Sequence, residues 1–164
     1  MLFRSEGEPP TFVLDVHLGS LTRRLRLGGF DAHFDPALGD AEIAALSAAD
    51  SRVILTKDRR LLMRKAVHRG CLIRSEALDR QLAQVFERFA LGRWLRPLTR
   101  CVRCNGLIEP VDKAQIAARL EPGTRREYEE FRRCTRCGRV YWRGAHYESL
   151  RAHVERLRGL AGAG

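Results

Sequence analysis

The chain has 164 residues, 45% of them hydrophobic, and a formal net charge of +10, which is enough apolar material for one ordinary domain or two small ones and too much for a disordered polymer. No stretch approaches the roughly 20 apolar residues that span a bilayer, and the opening "MLFRSEGEPP" lacks the apolar core of a secretory signal, so the reading is a soluble cytoplasmic protein with no membrane partner. Charge is unevenly placed: residues 1–92 carry 14 Lys/Arg against 12 Asp/Glu, and residues 93–164 carry 16 against 8. A basic excess interleaved with aromatics favours a polyanion, nucleic acid before membrane. Arginine supplies 27 of the 30 basic residues, as a GC-rich coding sequence would, but that bias leaves the uneven distribution unexplained.

After an N-terminal extension (residues 1–10), strands and helices alternate through residues 11–92. "TFVLDV" predicts a buried strand. "LGSLTRRLRL" has helical spacing of Leu18, Leu21 and Leu25 and is closed by Gly28 and Gly29, and "FDAHF" returns as a strand. The pattern continues with helix "DAEIAALSAA", strand "RVILT", helix "DRRLLMRKAVHR", strand "CLIR" and a long helix "SEALDRQLAQVFERFAL" started by Ser75. Four β-α repeats predict an α/β domain, a parallel sheet with helices on its faces.

Residues 93–100 form a linker, and the cysteines follow. Cys101 and Cys104 in "CVRC", and Cys134 and Cys137 in "CTRC", make two Cys-x-x-Cys pairs, whereas Cys71 stands alone in an apolar run and reads as a core residue. Two such pairs in a cytoplasmic chain predict a tetrahedral zinc site, with a redox or disulfide pair as the alternative. Residues 101–150 hold few large apolar side chains, so a structural zinc would also staple a core too small to stand alone. Between the pairs "VDKAQIAARL" is helical, and "EPGT" breaks it at Pro122 and Gly123. The segment reads as a zinc ribbon with a helical insertion, followed by a C-terminal helix or tail at residues 151–164.

The acids fall near the carboxyl ends of the predicted strands, where open α/β sheets bind ligands. Asp15 closes the first strand, Asp40 and Glu42 open the helix after the second, and Asp58 follows the third. Carboxylates converging there would repel one another, and Mg²⁺ or Mn²⁺ suits oxygen-only ligands. Asp40 and Asp58 have a second reading as N-caps, and Glu42 as a first-turn acid favoured by the helix dipole. Asp15, between Leu14 and Val16, is expensive to bury unless paired or coordinated.

The blocks "FVLDVHLGSLTRRLRLGGFDA", "GDAEIAAL", "RVILTKDRRLL", "RCVRCNG" and "FRRCTRCGRVYWRGAHYESL", in this order, closely resemble the Mut-seven-C RNase family, in which a PIN-like nuclease domain is fused to a zinc ribbon. The resemblance covers residues 11 to about 150. It implies a metal-dependent ribonuclease that hydrolyses RNA phosphodiester bonds, with catalytic acids at Asp15, Asp40 and Asp58, which would hold Mg or Mn, and Glu42 at a matching acidic position. PIN-like nucleases often use a fourth acid after the third. Here Arg59 and Arg60 follow Asp58; Glu76 or Asp79 could stand in, against a second reading of Glu76 as a first-turn acid of its helix and Asp79 as part of that helix's solvated face. The competing expectation is a non-catalytic RNA-binding zinc ribbon on a degenerate PIN-like scaffold.

Beside the second cysteine pair, Arg136, Arg139, Trp142, Arg143 and His146, with Tyr141 and Tyr147, offer phosphate contacts and stacking surfaces for single-stranded RNA. Equally, Tyr141 and Trp142 can serve to pack the ribbon, and His146 can be a hydrogen-bonded structural residue.

Overall fold

A computed structural model describes residues 7–163, except the side chains of residues 145 and 146. The first six residues of the predicted extension therefore lie outside the described residues. Strands β1 (Phe12–Leu14), β2 (Ala32–His33), β3 (Val53–Thr56) and β4 (Gly70–Leu72) form a parallel sheet in the order β2-β1-β3-β4. Strand residues alternate between faces, and the two central strands show why both faces are covered. Phe12, Leu14, Val53 and Leu55 enter one apolar core, and their neighbours Val13 and Ile54 enter another.

The larger core is closed by α1 (Gly19–Leu27) and α4 (Leu78–Phe89), through Leu21, Leu25, Leu82, Val85 and Phe86. The smaller is closed by α2 (Asp40–Asp50) and α3 (Arg59–Leu62), through Ile43 and Leu61. Leu21 is wholly buried, so Leu21→Ala would cost about 2–5 kcal/mol in lost transfer energy and cavity. Gly29 adopts φ +91, and a Cβ there would lie 2.3 Å from the Arg96 carbonyl oxygen. Glycine is thus required both by backbone angle and by the close passage of the linker.

The cysteine-bearing part is a three-stranded antiparallel sheet, β5 (Ile108–Val111), β6 (Phe131–Cys134) and β7 (Val140–Tyr141), in that order. Its insertion contains α5 (Lys113–Ile116) and α6 (Pro122–Glu127). The C-terminal helix α7 (Ala145–Gly162) starts before position 150 and returns to the larger core, where Val154 and Leu157 are buried.

Several element boundaries differ from the sequence expectation. The helix predicted over 58–69 is one turn, since of its residues only Leu61 is buried, and Met63 and the residues after it loop back to β4. The helix predicted to start at Ser75 is α4, which begins at Leu78: Ser75 Oγ instead accepts from the Ala77 N–H at 3.1 Å, forming a turn. "EPGT" starts a helix, because proline at the first helical position is pre-set for it.

Candidate functional site

Asp15 leaves the sheet just beyond β1 and caps a short 3-10 turn (Val16–Leu18), its Oδ1 accepting from the His17 N–H at 2.9 Å. It is buried, and the Thr56 hydroxyl donates to Oδ2. Thr56 ends the neighbouring strand β3, and its oxygen also accepts from the Asp58 N–H at 2.9 Å. One wholly buried hydroxyl thus joins Asp15 to the loop that carries Asp58. Asp58 caps α3, with Oδ1 accepting from the Arg60 N–H at 2.7 Å, and is exposed.

Asp40 is the first residue of α2, and Gly39 occupies the cap position. The Asp40 carboxylate faces Arg64 Nη2 at 3.8 Å, a contact too exposed and long to hold it strongly. Glu42 Oε2 accepts from the Gly39 N–H at 2.7 Å, the first-turn role open to it from sequence. Glu76 pairs with Lys57, and Asp79 lies 3.6 Å from Arg156 on α7. Thr56 had no assigned role in the sequence reading, although its place two residues before Asp58 in "LTKD" was the available signal.

The four cysteines converge. Cys101, Cys104, Cys134 and Cys137 place their Sγ atoms all within 4.8 Å of one another, the one group of three or more such ligands among the described residues able to hold a metal ion. Cys101 and Cys137 are 3.8 Å apart and Cys104 and Cys134 3.4 Å, close to the roughly 3.8 Å edge of a tetrahedron with Zn–S bonds of about 2.3 Å. Backbone N–H groups point at the sulfurs: Gly106 to Cys104 at 3.4 Å, Arg136 and Cys137 to Cys134 at 3.4 and 3.5 Å. Burial opposes ionisation of Cys134, but those N–H donors and the neighbouring thiols bring it down to about 7. Burial, against the Gly106 N–H, and the shared thiol bonds push Cys104 up to about 12. Four crowded sulfurs cannot all ionise without a cation among them, and an all-thiolate tetrahedron is the donor set of structural zinc. The cluster can hold a zinc ion, and no other cysteine joins it: Cys71 is buried in the larger core.

Tyr141 and Trp142 pack the ribbon. The Tyr141 hydroxyl is 2.9 Å from Cys101 Sγ, and burial followed by that contact raises its pKa. Trp142 is half-buried with its ring centroid 6.2 Å from that of Phe131. Arg136, Arg139 and Arg143 are exposed: Arg136 donates to the Cys104 carbonyl at 3.2 Å, while Arg139 and Arg143 each lie 5.7 Å over the rings of Tyr141 and Tyr147. His146 falls in the first turn of α7, and its side chain lies outside the described residues. Beside the second cysteine pair a groove of about 560 Å³ is lined by Arg119, Arg133 and Arg136, with Glu109 its one carboxylate.

The first cysteine pair is tied to the parallel sheet by polar bonds. Arg26 of α1 is buried, donating to the carbonyls of Ala32, Val102 and Arg103 at 2.9, 3.2 and 3.1 Å. Asn105, buried at φ +71, accepts from the Ala32 N–H and donates to Asp31, which Arg52 grips with two bonds of 2.7 and 3.2 Å. Burial opposes the Asp31 charge, but the bonds from Arg52 and Asn105 hold its carboxyl below the usual range.

A parallel α/β sheet bound to a four-cysteine ribbon defines the class of protein. The family model of the Mut7-C RNAse domain matches residues 10–154. The chain belongs to that family, which points to a ribonuclease-type function. No match is found among curated proteins or among solved structures. Among the described residues no helix is long and apolar enough to cross a membrane.

Proposed function

We propose that the chain is a metal-dependent ribonuclease that hydrolyses phosphodiester bonds of single-stranded RNA at the carboxyl edge of its parallel sheet, with the ribbon assisting RNA binding. The observation that carries this reading is the buried Asp15, held by Thr56 and thereby coupled to Asp58 on the adjacent strand's loop. A buried carboxylate at that edge is costly unless something uses it. Each Asp15 oxygen accepts one hydrogen bond and Asp58 uses one oxygen on its cap, so lone pairs remain on both, as oxygen coordination of a hard cation requires.

Asp15, Asp40 and Asp58 do not converge as the four cysteines do, and would hold Mg or Mn only by drawing together around the ion. When bound, such a cation neutralises phosphate charge and acidifies a water. Thr56 fixes the Asp15 rotamer, and the His17 N–H fixes the other carboxylate oxygen, so the most buried acid needs no reordering when substrate arrives. Glu42 keeps the start of α2 in place, thereby orienting Asp40. Arg59 and Arg60, exposed next to Asp58, can take a non-bridging phosphate oxygen. On the ribbon, the groove of Arg119, Arg133 and Arg136 and the exposed Arg139 and Arg143 supply the phosphate path.

The second reading, an RNA-binding module without turnover, draws on the carboxylates' existing work as caps and on the arginines that follow Asp58. Incubating purified protein with labelled single-stranded RNA, with chelator and then with Mn²⁺, separates the two. Cleavage only with Mn²⁺ is expected; binding without cleavage under any divalent metal selects the module.

A further inference from the structure

Where α1, α4, the first cysteine pair and α7 meet, they border a half-open cavity of about 310 Å³ that none of the candidate acids lines. Its floor is apolar: Leu78 opens α4, Val102 lies between Cys101 and Cys104, and Leu150 comes from α7. Its rim is Ser20, Arg23 and Arg24, one face of α1 at helical spacing. Helices that follow parallel strands begin at the strands' carboxyl edge. Ser20 accordingly stands in the first turn of α1, directly after the short turn capped by Asp15, and Leu78 is the first residue of the helix after β4.

The rim carries unneutralised positive charge. Neither the Arg23 nor the Arg24 side chain makes a hydrogen bond or salt bridge among the described residues. Burial and then the nearby Arg156 disfavour the Arg24 charge, and Asp79, the one opposing carboxylate, is already 3.6 Å from Arg156. Two unpaired guanidiniums over an aliphatic floor suit a ligand with one flat apolar part and one anionic part. The volume is at the small end of ligand cavities, about 300–1,000 Å³, and so admits one nucleotide and no duplex. By contrast, the ribbon groove with its three arginines has charge but little apolar lining.

Resting on the ribonuclease reading for the choice of ligand, we propose that this cavity holds one unpaired nucleotide of the RNA, the base against Leu78, Val102 and Leu150 and the phosphate on Ser20, Arg23 and Arg24. Unpaired bases splay from single strands and lie on apolar and guanidinium surfaces in this way. Holding one nucleotide here sets the register of the strand, so cleavage falls at a fixed offset from it.

The test uses full-length zinc-loaded Asp15→Asn protein, so that nothing depends on turnover. Nucleoside 5′-monophosphates, the matching nucleosides and inorganic phosphate are titrated separately while amide NMR shifts are followed. At least one monophosphate should bind tenfold or more tighter than its nucleoside or phosphate alone, moving the amides of Ser20, Arg24 and Val102. Adding Arg24→Gln, an α1 surface change that should leave the fold intact, should weaken it at least fivefold, and adding Leu78→Trp should block it by filling the floor. A monophosphate that binds no tighter than phosphate, shifts confined to residues 133–138, or parental affinity in Arg24→Gln overturns the proposal while leaving the ribonuclease reading standing. A parent that never cleaves RNA but binds the nucleotide here removes the ribonuclease reading alone.

Discussion

Asn105 Nδ2 donates to Asp31 Oδ1 at 2.7 Å across 74 positions of sequence, bonding the loop after the first cysteine pair to the residue that precedes edge strand β2. The same Asn105 side chain accepts from the Ala32 N–H at 3.1 Å, so both its polar ends are used. The loop of the four-cysteine cluster and the parallel sheet are thereby joined by one buried polar network. A partly broken network of this kind costs more than its separate bonds.

Asn105→Gly keeps the φ +71 backbone accessible and removes only the side-chain bonds. It should lower stability by about 1–3 kcal/mol, the cost of leaving buried partners unsatisfied, and should speed zinc loss to a chelator. Thermal melts and zinc release followed with a coloured chelator check this. Parental values in both would mean the network carries no coupling.

The four-cysteine cluster predicts about one zinc per chain. Cys101→Ser and Cys137→Ser should lose the metal and expose the ribbon to protease, since the cluster of Cys101, Ile108 and Cys134 is a small core by itself. Elemental analysis with limited proteolysis decides it. Variants as metal-loaded and as resistant as the parent would refute structural zinc.

Asp31 gives a pH signature. Its folded pKa is depressed by Arg52 and Asn105, so its contribution is full above the unfolded value of about 3.9 and is lost as pH falls through the lower folded value. Asp31→Asn should therefore lower the melting temperature near pH 7, and the gap from the parent should close below about pH 4. A gap constant with pH would show that the charge of Asp31 contributes nothing.

RNA affinity should fall steeply with salt, with a log-log slope of about −0.7 for each phosphate neutralised on a single strand. Alanine at Arg139 and Arg143, both exposed, should reduce that slope. Filter binding over a range of KCl concentrations reads it directly, and unchanged slopes would place the phosphate path elsewhere.

The parallel sheet was legible because its strands are short apolar runs buried on both faces, as "RVILT" is, and its helices carry apolar residues at helical spacing. The convergence of the four cysteines was legible from their spacing alone. Asn105 and Arg26 were not. In "RRLRL" an arginine reads as a solvated helix face, and its burial is explained by the Ala32 carbonyl together with carbonyls from 76 and 77 positions away. Asn105 needs a left-handed backbone and a partner 74 positions back, neither of which leaves a local pattern. At the acid edge, Asp15 stood out because it interrupts an apolar run. Thr56 did not, because threonine at the end of a strand is ordinary there.

Asp15→Asn preserves side-chain volume and removes the charge that would hold a hard cation, so it is the most direct test of metal-dependent hydrolysis at this edge. The amide can keep a contact with both Thr56 and the His17 N–H only by giving up one acceptor oxygen, which makes a fold check by circular dichroism part of the measurement. Cleavage of labelled single-stranded RNA in Mn²⁺ should be abolished in the folded Asp15→Asn protein while RNA affinity is retained. Cleavage by Asp15→Asn at the parental rate would contradict the account.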